Sequence, residues 1–355
     1  MSAEPKKVLI VRLSAMGDII HATPAVAALR AALPSLAIGW LVEERWVELL
    51  CTNAAARSGA LTPARPLADQ VHTVNTKRWR KSLFSAATRQ SFLAAVAALK
   101  QERYDATIDF QGLLRSAIFA RLSQAPVRYG FSHPRESATR WFYTSTVTAQ
   151  GAHVIEQNLS LAEALANMPL KLAPAQFPRD EEAERKIENE LAARRIIKFA
   201  ILNPGAGWGA KQWPANRYGE VAKQLFASGM MTPLINFGPG EENLAHEVEA
   251  ASQGVATSIS LSLSELIALT RRASLFIGGD TGPMHLAAAL NIPVVAIFGP
   301  TDPARNGPFG TRSIVLRSPA SVTNHSRHGA PEVGLLQITS QQVASAAREL
   351  LEVRA

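Results

Sequence analysis

Several features that mark common classes of protein are scarce in this chain of 355 residues. Its single cysteine, Cys51, cannot form an internal disulfide bond and provides no cysteine cluster for a metal. No run of about 18 uncharged apolar residues occurs, so the sequence predicts no membrane-spanning helix. Aromatic residues make up only 6% of the chain, which leaves few side chains for stacking on nucleic-acid bases.

The chain is rich in apolar residues and carries an excess of positive charge. Hydrophobic residues make up 47%, enough for the cores of two domains. The formal net charge is +8, and the whole excess lies in the first half. Residues 1–175 contain 20 Lys and Arg against 12 Asp and Glu, whereas residues 176–355 contain 17 of each. This asymmetry predicts an acidic partner for the first half: a nucleic acid, an anionic membrane surface or an acidic substrate.

Short apolar runs typical of buried strands alternate with helical patterns throughout the chain. The first strand, Lys7 to Leu13, is followed by a helix from Ile19 to Leu33. Such alternation predicts an α/β protein with two doubly wound units. Prolines punctuate the stretch between the two units, so we predict a domain at 1–170, a linker at 171–179 and a second domain at 180–338.

The most informative stretch of the second unit surrounds Asp280. A strand ending at Ile277 leads through a glycine-rich turn, Gly278 to Gly282, into a helix that carries His285. A helix N-terminus at the carboxyl end of a parallel strand has free N–H groups and suits a phosphate. An ordinary well-capped turn explains the pattern equally well, except that Asp280, Thr281 and His285 have no common structural reason to converge there.

Two further loops of the second unit fit a nucleotide. The loop 204–214 has three glycines and Lys211 before a helix, which is a second plausible phosphate cradle. Glu241 and Glu242 follow another strand at a helix start. A carboxylate there can accept hydrogen bonds from ribose hydroxyls, or merely favour the helix dipole.

The first unit offers a different chemistry. The loop after its first strand has only Gly17, so it lacks the G-x-G-x-x-G of dinucleotide sites, and it presents the carboxylate of Asp18. Asp18 is either a helix cap or a general base. Four cations, Lys77, Arg78, Arg80 and Lys81, surround Trp79. They form either a solvated surface or a site for phosphates and carboxylates, in which the tryptophan stacks on a sugar or fixes the segment.

Five motifs in order resemble those of glycosyltransferase family nine, the lipopolysaccharide heptosyltransferases. They are Ser14-Ala-Met-Gly-Asp18 with Thr23-Pro24, Pro204-Gly-Ala-Gly with Lys211-Gln-Trp-Pro214, Gly238-Pro-Gly-Glu-Glu242, Asp280-Thr-Gly-Pro-Met-His285 and Gly299-Pro-Thr-Asp302. The segments Lys77 to Lys81, Phe110-Gln-Gly-Leu-Leu-Arg115 and Arg135-Glu136 are most similar to the heptosyltransferase I branch.

The resemblance implies a GT-B fold: two Rossmann-like domains facing across a cleft, with a C-terminal helix at 339–355 returning to the first domain. It implies an inverting transfer of L-glycero-D-manno-heptose from ADP-heptose to Kdo of Kdo-lipid A, without cofactor or catalytic metal. Asp18 takes the general-base position. The implied donor residues are Lys211, Glu242, Asp280, Thr281, Gly282 and His285, and the implied acceptor residues are Lys77, Arg78, Arg80, Lys81, Arg115 and Arg135.

With the basic first half and no recognisable signal peptide, the resemblance further implies a cytoplasmic protein, peripheral on the anionic cytoplasmic face of the inner membrane. Two alternatives remain open. A nucleic-acid-binding module would use the basic half, although no recognised motif supports it, and we expect no nucleic-acid partner. A heptosyltransferase of a later core step, or another GT-B sugar-nucleotide enzyme, fits the donor half equally well.

Overall fold

The computed structural model describes residues 5–82, 84–324 and 329–352 of the chain. The chain divides into two compact units, and the division falls between Arg179 and Asp180. Each unit contains a parallel six-stranded sheet flanked by helices. The predicted α/β class with two doubly wound units is therefore confirmed.

The first unit has the strand order β3-β2-β1-β4-β5-β6, and neighbouring strands run parallel. Its strands are β1 (Lys7–Val11), β2 (Ala37–Glu43), β3 (Gln70–Val74), β4 (Ala106–Asp109), β5 (Val127–Phe131) and β6 (Ser145–Val147). Its helices are α1 (Met16–Ala32), α2 (Thr76–Lys81), α3 (Ala86–Gln101), α4 (Leu114–Leu122) and α5 (Val154–Ala166), with short 3-10 turns at Glu44–Leu49 and Ser137–Phe142.

The second unit has the strand order β12-β11-β10-β7-β8-β9, also parallel. Its strands are β7 (Phe199–Asn203), β8 (Thr232–Asn236), β9 (Thr257–Ile259), β10 (Leu275–Gly279), β11 (Val294–Phe298) and β12 (Ser313–Arg317). Its helices are α6 (Glu181–Ala193), α7 (Ala215–Ala227), α8 (Glu242–Ala251), α9 (Leu263–Arg272), α10 (Gly282–Ala289), α11 (Pro303–Asn306) and α12 (Ser340–Glu352), with 3-10 turns at Gly209–Lys211 and Leu335–Gln337.

Both sheets share one topology, and each reverses its strand order at one point. The reversal lies between β1 and β4 in the first unit and between β7 and β10 in the second. The loops that leave such a strand pair diverge over opposite faces of the sheet, and open α/β sheets bind ligands in the crevice between them. Asp18 follows β1, and Asp280 follows β10. Each predicted site therefore lies beside its own sheet's switch point.

Burial explains why the apolar runs form central strands. Val8, Leu9, Ile10 and Val11 of β1 are completely buried. A parallel sheet covered by helices on both faces requires such continuous apolar strands, because neither face meets water.

The C-terminal helix departs from expectation. The resemblance implied that it returns to the first domain, but α12 packs on α7 and on β10, β11 and β12. Its apolar residues Val343, Ala347 and Leu350 belong to the same buried cluster as Trp213 and Tyr218. The prediction is corrected accordingly, because this apolar stripe places the helix in the second unit. Residues 353–355 of the predicted element lie outside the described residues.

Candidate functional sites

Asp18 lies in the first turn of α1, three residues after the N-cap residue Ala15. The N–H of Ala15 donates to Oδ2 of Asp18 at 3.3 Å. Asp18 thus does help to close the helix start, although it is not itself the N-cap. Its side chain remains 23% exposed, so the carboxylate reaches the crevice.

Two arginines hold the Asp18 carboxylate. Nη2 of Arg12 lies 2.7 Å from Oδ1, and Arg135 donates to both carboxylate oxygens, at 3.1 and 3.4 Å. Burial by itself raises the pKa of Asp18, but the charges of Arg12, Arg135 and His21 outweigh burial and hold this pKa well below its ordinary value. Asp18 is therefore ionised at neutral pH, and in this arrangement it is a weak base.

The loop after β4 borders the same crevice and has a fixed shape. The buried Asp109 carboxylate accepts from the N–H groups of residues 111 and 112, at 2.8 and 3.2 Å, and from the Tyr143 hydroxyl at 2.8 Å. Gly112 has φ of +64°, a conformation that glycine adopts at little cost. The loop leads into α4, from which Nη2 of Arg115 donates to Oγ of Ser14 at 2.8 Å. Arg115 therefore contacts the loop that leads into the helix of Asp18.

The basic segment forms the short helix α2, and its four cations are exposed. The buried Glu43, at the carboxyl end of β2, accepts from the N–H of Thr76 at 3.2 Å. This bond ties the helix start to the edge of the sheet where the crevice lies. The pKa of Arg115 is lowered, first by burial and also by the positive charges of Arg80 and Arg45. Arg80 and Arg115 thus contribute to one positive surface.

The sequence left two roles open for Trp79, stacking on a sugar or fixing the segment, and the structure rules out the first. The side chain is buried, with its ring centroid 5.6 Å from that of Phe92 and 6.2 Å from that of Phe119. Its Nε1 donates to Oγ of Ser91 at 3.3 Å. A tryptophan packed in this way cannot stack on a sugar. It anchors α2 and leaves the flanking cations at the surface.

In the second unit, Asp280 binds two side chains from different segments, Lys211 and His285. Nζ of Lys211 lies 2.6 Å from Oδ2, and Nε2 of His285 lies 3.0 Å from Oδ1. Lys211 also lies over the Trp208 ring, 4.4 Å from its centroid. Burial raises the pKa of Asp280, but His285 and Lys211 outweigh it and hold this pKa well below its ordinary value. The loop after β7 and the turn after β10 thus meet at an ionised, nearly buried carboxylate.

The start of α10 adjoins this carboxylate. Thr281 is the N-cap residue, but its side chain makes no capping bond, and its Oγ1 donates to the Gly279 carbonyl at 3.3 Å. The Asp280 side chain does not cap the helix either, since it binds Lys211 and His285. Neither side chain therefore caps α10. The first turn, which begins at Gly282, keeps N–H donors and partial positive charge for a ligand.

The two candidate ribose carboxylates differ in environment. Glu242 is exposed and accepts from the N–H of Gly240 at 3.2 Å. Glu241 accepts from the N–H of Gly238 at 2.8 Å and packs over Gly205, where a Cβ would lie 2.0 Å from its Oε2. Glu241 therefore bridges the loops after β7 and β8, whereas Glu242 lies at the first position of α8.

Arg12 is the functional candidate that the sequence pattern missed. It continues the apolar run of β1, yet its side chain is only 2% exposed and its Nη1 donates to the Phe110 carbonyl. The available signal was a charged residue inside an otherwise buried strand pattern, because a buried arginine requires a partner.

Within residues 5–82, 84–324 and 329–352, no three His, Cys, Asp or Glu side chains converge to hold a metal ion. In the same part of the chain, no helix combines the length and apolar character needed to cross a bilayer.

Two Rossmann-like units of matching topology, each with polar side chains at its switch point, are the architecture of the GT-B glycosyltransferases. The chain belongs to glycosyltransferase family 9 (heptosyltransferase), whose family model matches residues 92–333. The predicted family and the predicted enzyme class are thereby confirmed.

Individual relatives agree with this assignment. Lipopolysaccharide heptosyltransferase 1 of Pseudomonas aeruginosa is 30% identical over 317 residues, covering 88% of this chain and 84% of that protein. The structure of Escherichia coli heptosyltransferase WaaC with ADP is 27% identical, with a TM-score of 0.77 and coverage of 97% of this chain and 99% of that one. The same enzyme with ADP-2-deoxy-2-fluoro heptose gives 26% identity, a TM-score of 0.74 and coverage of 98% and 100%.

Proposed function

We propose that this enzyme transfers L-glycero-D-manno-heptose from ADP-heptose to a hydroxyl of Kdo on Kdo-lipid A, in synthesis of the lipopolysaccharide inner core. The transfer inverts the anomeric configuration and uses no catalytic metal. The observation that carries the proposal is the pairing of Lys211 with buried Asp280 beside the uncapped start of α10. A related enzyme binds ADP and an ADP-heptose analogue, which is the donor chemistry that this arrangement suits.

On the donor side, the mechanism must stabilise the negative charge of the departing ADP. When the bond between the anomeric carbon and the diphosphate breaks, ADP leaves as an anion. Lys211 and the N–H groups at Thr281 and Gly282 offset that charge, and they are fixed before the reaction begins. Asp280 holds Lys211 in position and accepts hydrogen bonds from heptose hydroxyls, while His285 supports Asp280.

On the acceptor side, the mechanism needs a base that removes the proton of the attacking hydroxyl. Asp18 takes the proton of the Kdo hydroxyl as its oxygen attacks the anomeric carbon from the side opposite ADP. A carboxylate held by two arginines is too weakly basic to do this well. Arg12 is buried, but the Arg135 side chain is 48% exposed and free to exchange Asp18 for a carboxylate of the acceptor. That exchange raises the basicity of Asp18 when the acceptor is bound.

A donor and acceptor screen tests the proposal. Purified enzyme is incubated with ADP-heptose, UDP-sugars or GDP-sugars, each with Kdo-lipid A or its heptosylated form, with and without EDTA. We expect transfer only from ADP-heptose to unmodified Kdo-lipid A, unaffected by EDTA, with inversion visible in the NMR spectrum of the product. Transfer only to the heptosylated acceptor would indicate a later core step, and transfer from another donor would indicate a different GT-B enzyme.

A further inference from the structure

The aromatic ring of Trp208 lies against the lysine of the proposed donor site, and the reaction described above gives it no role. Nζ of Lys211 lies 4.4 Å from the centroid of this ring. At that distance the negative face of an indole ring attracts an ammonium group, and tryptophan provides the best such face among the aromatic side chains. The ring therefore acts on Lys211 in addition to the ion pair with Asp280.

Both side chains project from one short turn of the loop after β7. Trp208 immediately precedes the 3-10 turn Gly209–Lys211, and its carbonyl accepts from the N–H of Lys211 at 3.0 Å. A Cβ at Gly209 would lie 2.1 Å from the carbonyl oxygen of Gly329, so the turn packs closely against that segment of backbone. The turn therefore presents the half-buried indole ring and the lysine side chain together.

The partners of the Lys211 ammonium group differ in how strictly they fix it. An ammonium group has three N–H donors. Two of its partners are directional: Oδ2 of Asp280 at 2.6 Å and the Asp280 carbonyl at 3.4 Å. The third is the indole face, whose attraction extends over the whole ring within about 6 Å of the centroid. To bind a phosphate oxygen, the ammonium group has to release a directional bond, but it can stay over the ring.

We propose that Trp208 is a positioning residue for Lys211. Its indole ring keeps the ammonium group in place while that group divides its hydrogen bonds between Asp280 and the diphosphate of the donor. The inference rests on the proposed function, because it takes Lys211 as the residue that offsets the charge of the diphosphate. Without the ring, the flexible four-carbon stem of Lys211 would be held on one side only. The ring also excludes water from part of the ammonium group, which strengthens its attraction for an anion.

Calorimetry with ADP provides the first test, on the full chain with Trp208→Leu and Trp208→Phe. We expect Trp208→Leu to weaken ADP binding by about three- to tenfold, because leucine has apolar bulk but no ring face. Trp208→Phe should weaken it less, because phenylalanine retains a face of smaller attraction. The matched control is Trp46→Leu, which removes a half-buried tryptophan whose ring centroid lies 4.9 Å from the Arg45 guanidinium in the first unit. That control is expected to bind ADP like wild type.

A double-mutant cycle tests whether Trp208 acts through Lys211. The cycle compares wild type, Trp208→Leu, Lys211→Ala and the double variant. Once Lys211 is absent, the loss of the ring should have no further effect on ADP binding. An equal loss in both backgrounds would overturn the proposal, because the indole ring would then contact the donor itself. Equal losses in Trp208→Phe and Trp208→Leu would also overturn it, since the ring face would then not be what matters.

Fluorine NMR gives a readout that a purely structural role would not change. The chain has six tryptophans, and after labelling with 5-fluorotryptophan the resonance missing from Trp208→Phe identifies Trp208. We expect this resonance to shift in Lys211→Ala and again when ADP is added to the wild type, while the Trp46 resonance stays in place. A Trp208 resonance that ignores Lys211→Ala would overturn the proposal. The remaining resonances, with the melting temperature, check that each variant is folded.

These measurements separate the inference from the proposed function. Weaker ADP binding in Lys211→Ala, with wild-type binding in Trp208→Leu, would reject the role of Trp208 and leave the donor site standing. Unchanged ADP binding in Lys211→Ala would remove Lys211 from the diphosphate site, and the donor half of the proposed function would fall together with this inference. With both intact, kcat/KM for ADP-heptose should fall in Trp208→Leu, while KM for the acceptor should remain unchanged.

Discussion

Arg135 binds Asp18 across 117 residues of sequence, with Nη2 3.1 Å from Oδ1. The same oxygen is held by Arg12, but the two arginines differ in one respect that matters for chemistry. The Arg12 side chain is 2% exposed, whereas that of Arg135 is 48% exposed. Arg12 is thus the buried partner that keeps Asp18 oriented, and Arg135 is the exposed partner that, in the proposed mechanism, moves to the anionic acceptor.

Replacing Asp18 tests whether it is the base. We expect Asp18→Asn and Asp18→Ala to lower kcat by about 10²–10⁴-fold, because a general base acts in the transition state. The affinity for ADP-heptose, measured by calorimetry, should remain close to that of wild type, since Asp18 lies in the first unit and the predicted donor residues lie in the second. If either variant keeps wild-type kcat, Asp18 is not the base, and its role is limited to its hydrogen bond at the helix start.

Replacing Arg135 tests how Asp18 is tuned. Arg135 is one of the charges that hold the pKa of Asp18 low, so Arg135→Gln should raise this pKa toward its ordinary value. Only ionised Asp18 accepts a proton, and activity falls as the pH decreases through its pKa. The acid limb of kcat/KM for the acceptor, which reports the enzyme before the acceptor binds, should therefore move to higher pH in Arg135→Gln. Arg140→Gln is the matched control, because Arg140 is exposed on the neighbouring 3-10 turn and has no bond to Asp18 among those described. Identical acid limbs in the wild type and Arg135→Gln would mean that Arg135 does not influence the pKa of the base.

Much of this fold could be predicted from the sequence, because its central strands are unbroken apolar runs. The strands Phe199–Asn203 and Val294–Phe298 are buried throughout, as expected for such apolar runs. The apolar pattern is weaker in β3 and α2, which lie at the rim of the first unit's sheet. Strand β3 contains His72 and Thr73 among its apolar residues, and α2 has only one buried side chain, Trp79. Neither element has the periodicity that identifies a strand or helix of ordinary length.

The site could be predicted as a set of residues but not as a set of contacts. The turn at Asp280 showed which side chains converge, yet the pairing with Lys211 joins residues 69 apart in the sequence. Arg12 was missed because its neighbours in β1 are fully buried and its partner lies on the next helix. Partners of this kind are determined by how strands pair in the sheet, which no local pattern specifies.

Lys211 and Asp280 are expected to act on different parts of the donor. Lys211→Ala should weaken ADP binding, because it removes a positive charge from the diphosphate site. Asp280→Ala should impair use of ADP-heptose but preserve or strengthen the binding of ADP alone, since it frees the ammonium group of Lys211 from its present partner. Calorimetry with ADP, alongside KM for ADP-heptose, distinguishes the two effects. Weaker ADP binding in Asp280→Ala but not in Lys211→Ala would reverse the assignment.

Glu241 and Glu242 provide their own matched pair for the ribose contact. The sequence-based prediction is Glu242, and on that basis Glu242→Gln should raise KM for ADP-heptose while Glu241→Gln should not. Glu241 is the alternative, because it lies between Gly205 and Gly238. If only Glu241→Gln raises KM, the ribose contact belongs to the residue that bridges the two loops. Circular dichroism of both variants checks that the loops still fold.

The α2 cations are expected to hold the anionic acceptor. Their side chains are exposed, so each contact is weak and screened by salt. We expect Arg78→Gln/Arg80→Gln to raise KM for Kdo-lipid A by about three- to tenfold and to leave KM for ADP-heptose unchanged. The matched control is Lys6→Gln/Arg103→Gln, which removes the same charge from exposed residues near the amino ends of β1 and β4.

Salt should imitate the loss of Arg78 and Arg80. Exposed charges are screened beyond about 8–10 Å near physiological ionic strength, so KM for the acceptor should rise with salt in the wild type. The rise should be less steep in Arg78→Gln/Arg80→Gln, because two of the screened contacts are already gone, and it should be unchanged in Lys6→Gln/Arg103→Gln. An acceptor stripped of its acyl chains removes any contribution from membrane binding to this measurement. Equal salt slopes in all three proteins would mean that the α2 cations are simply a solvated surface, held outward by the burial of Trp79 on the other side of the helix.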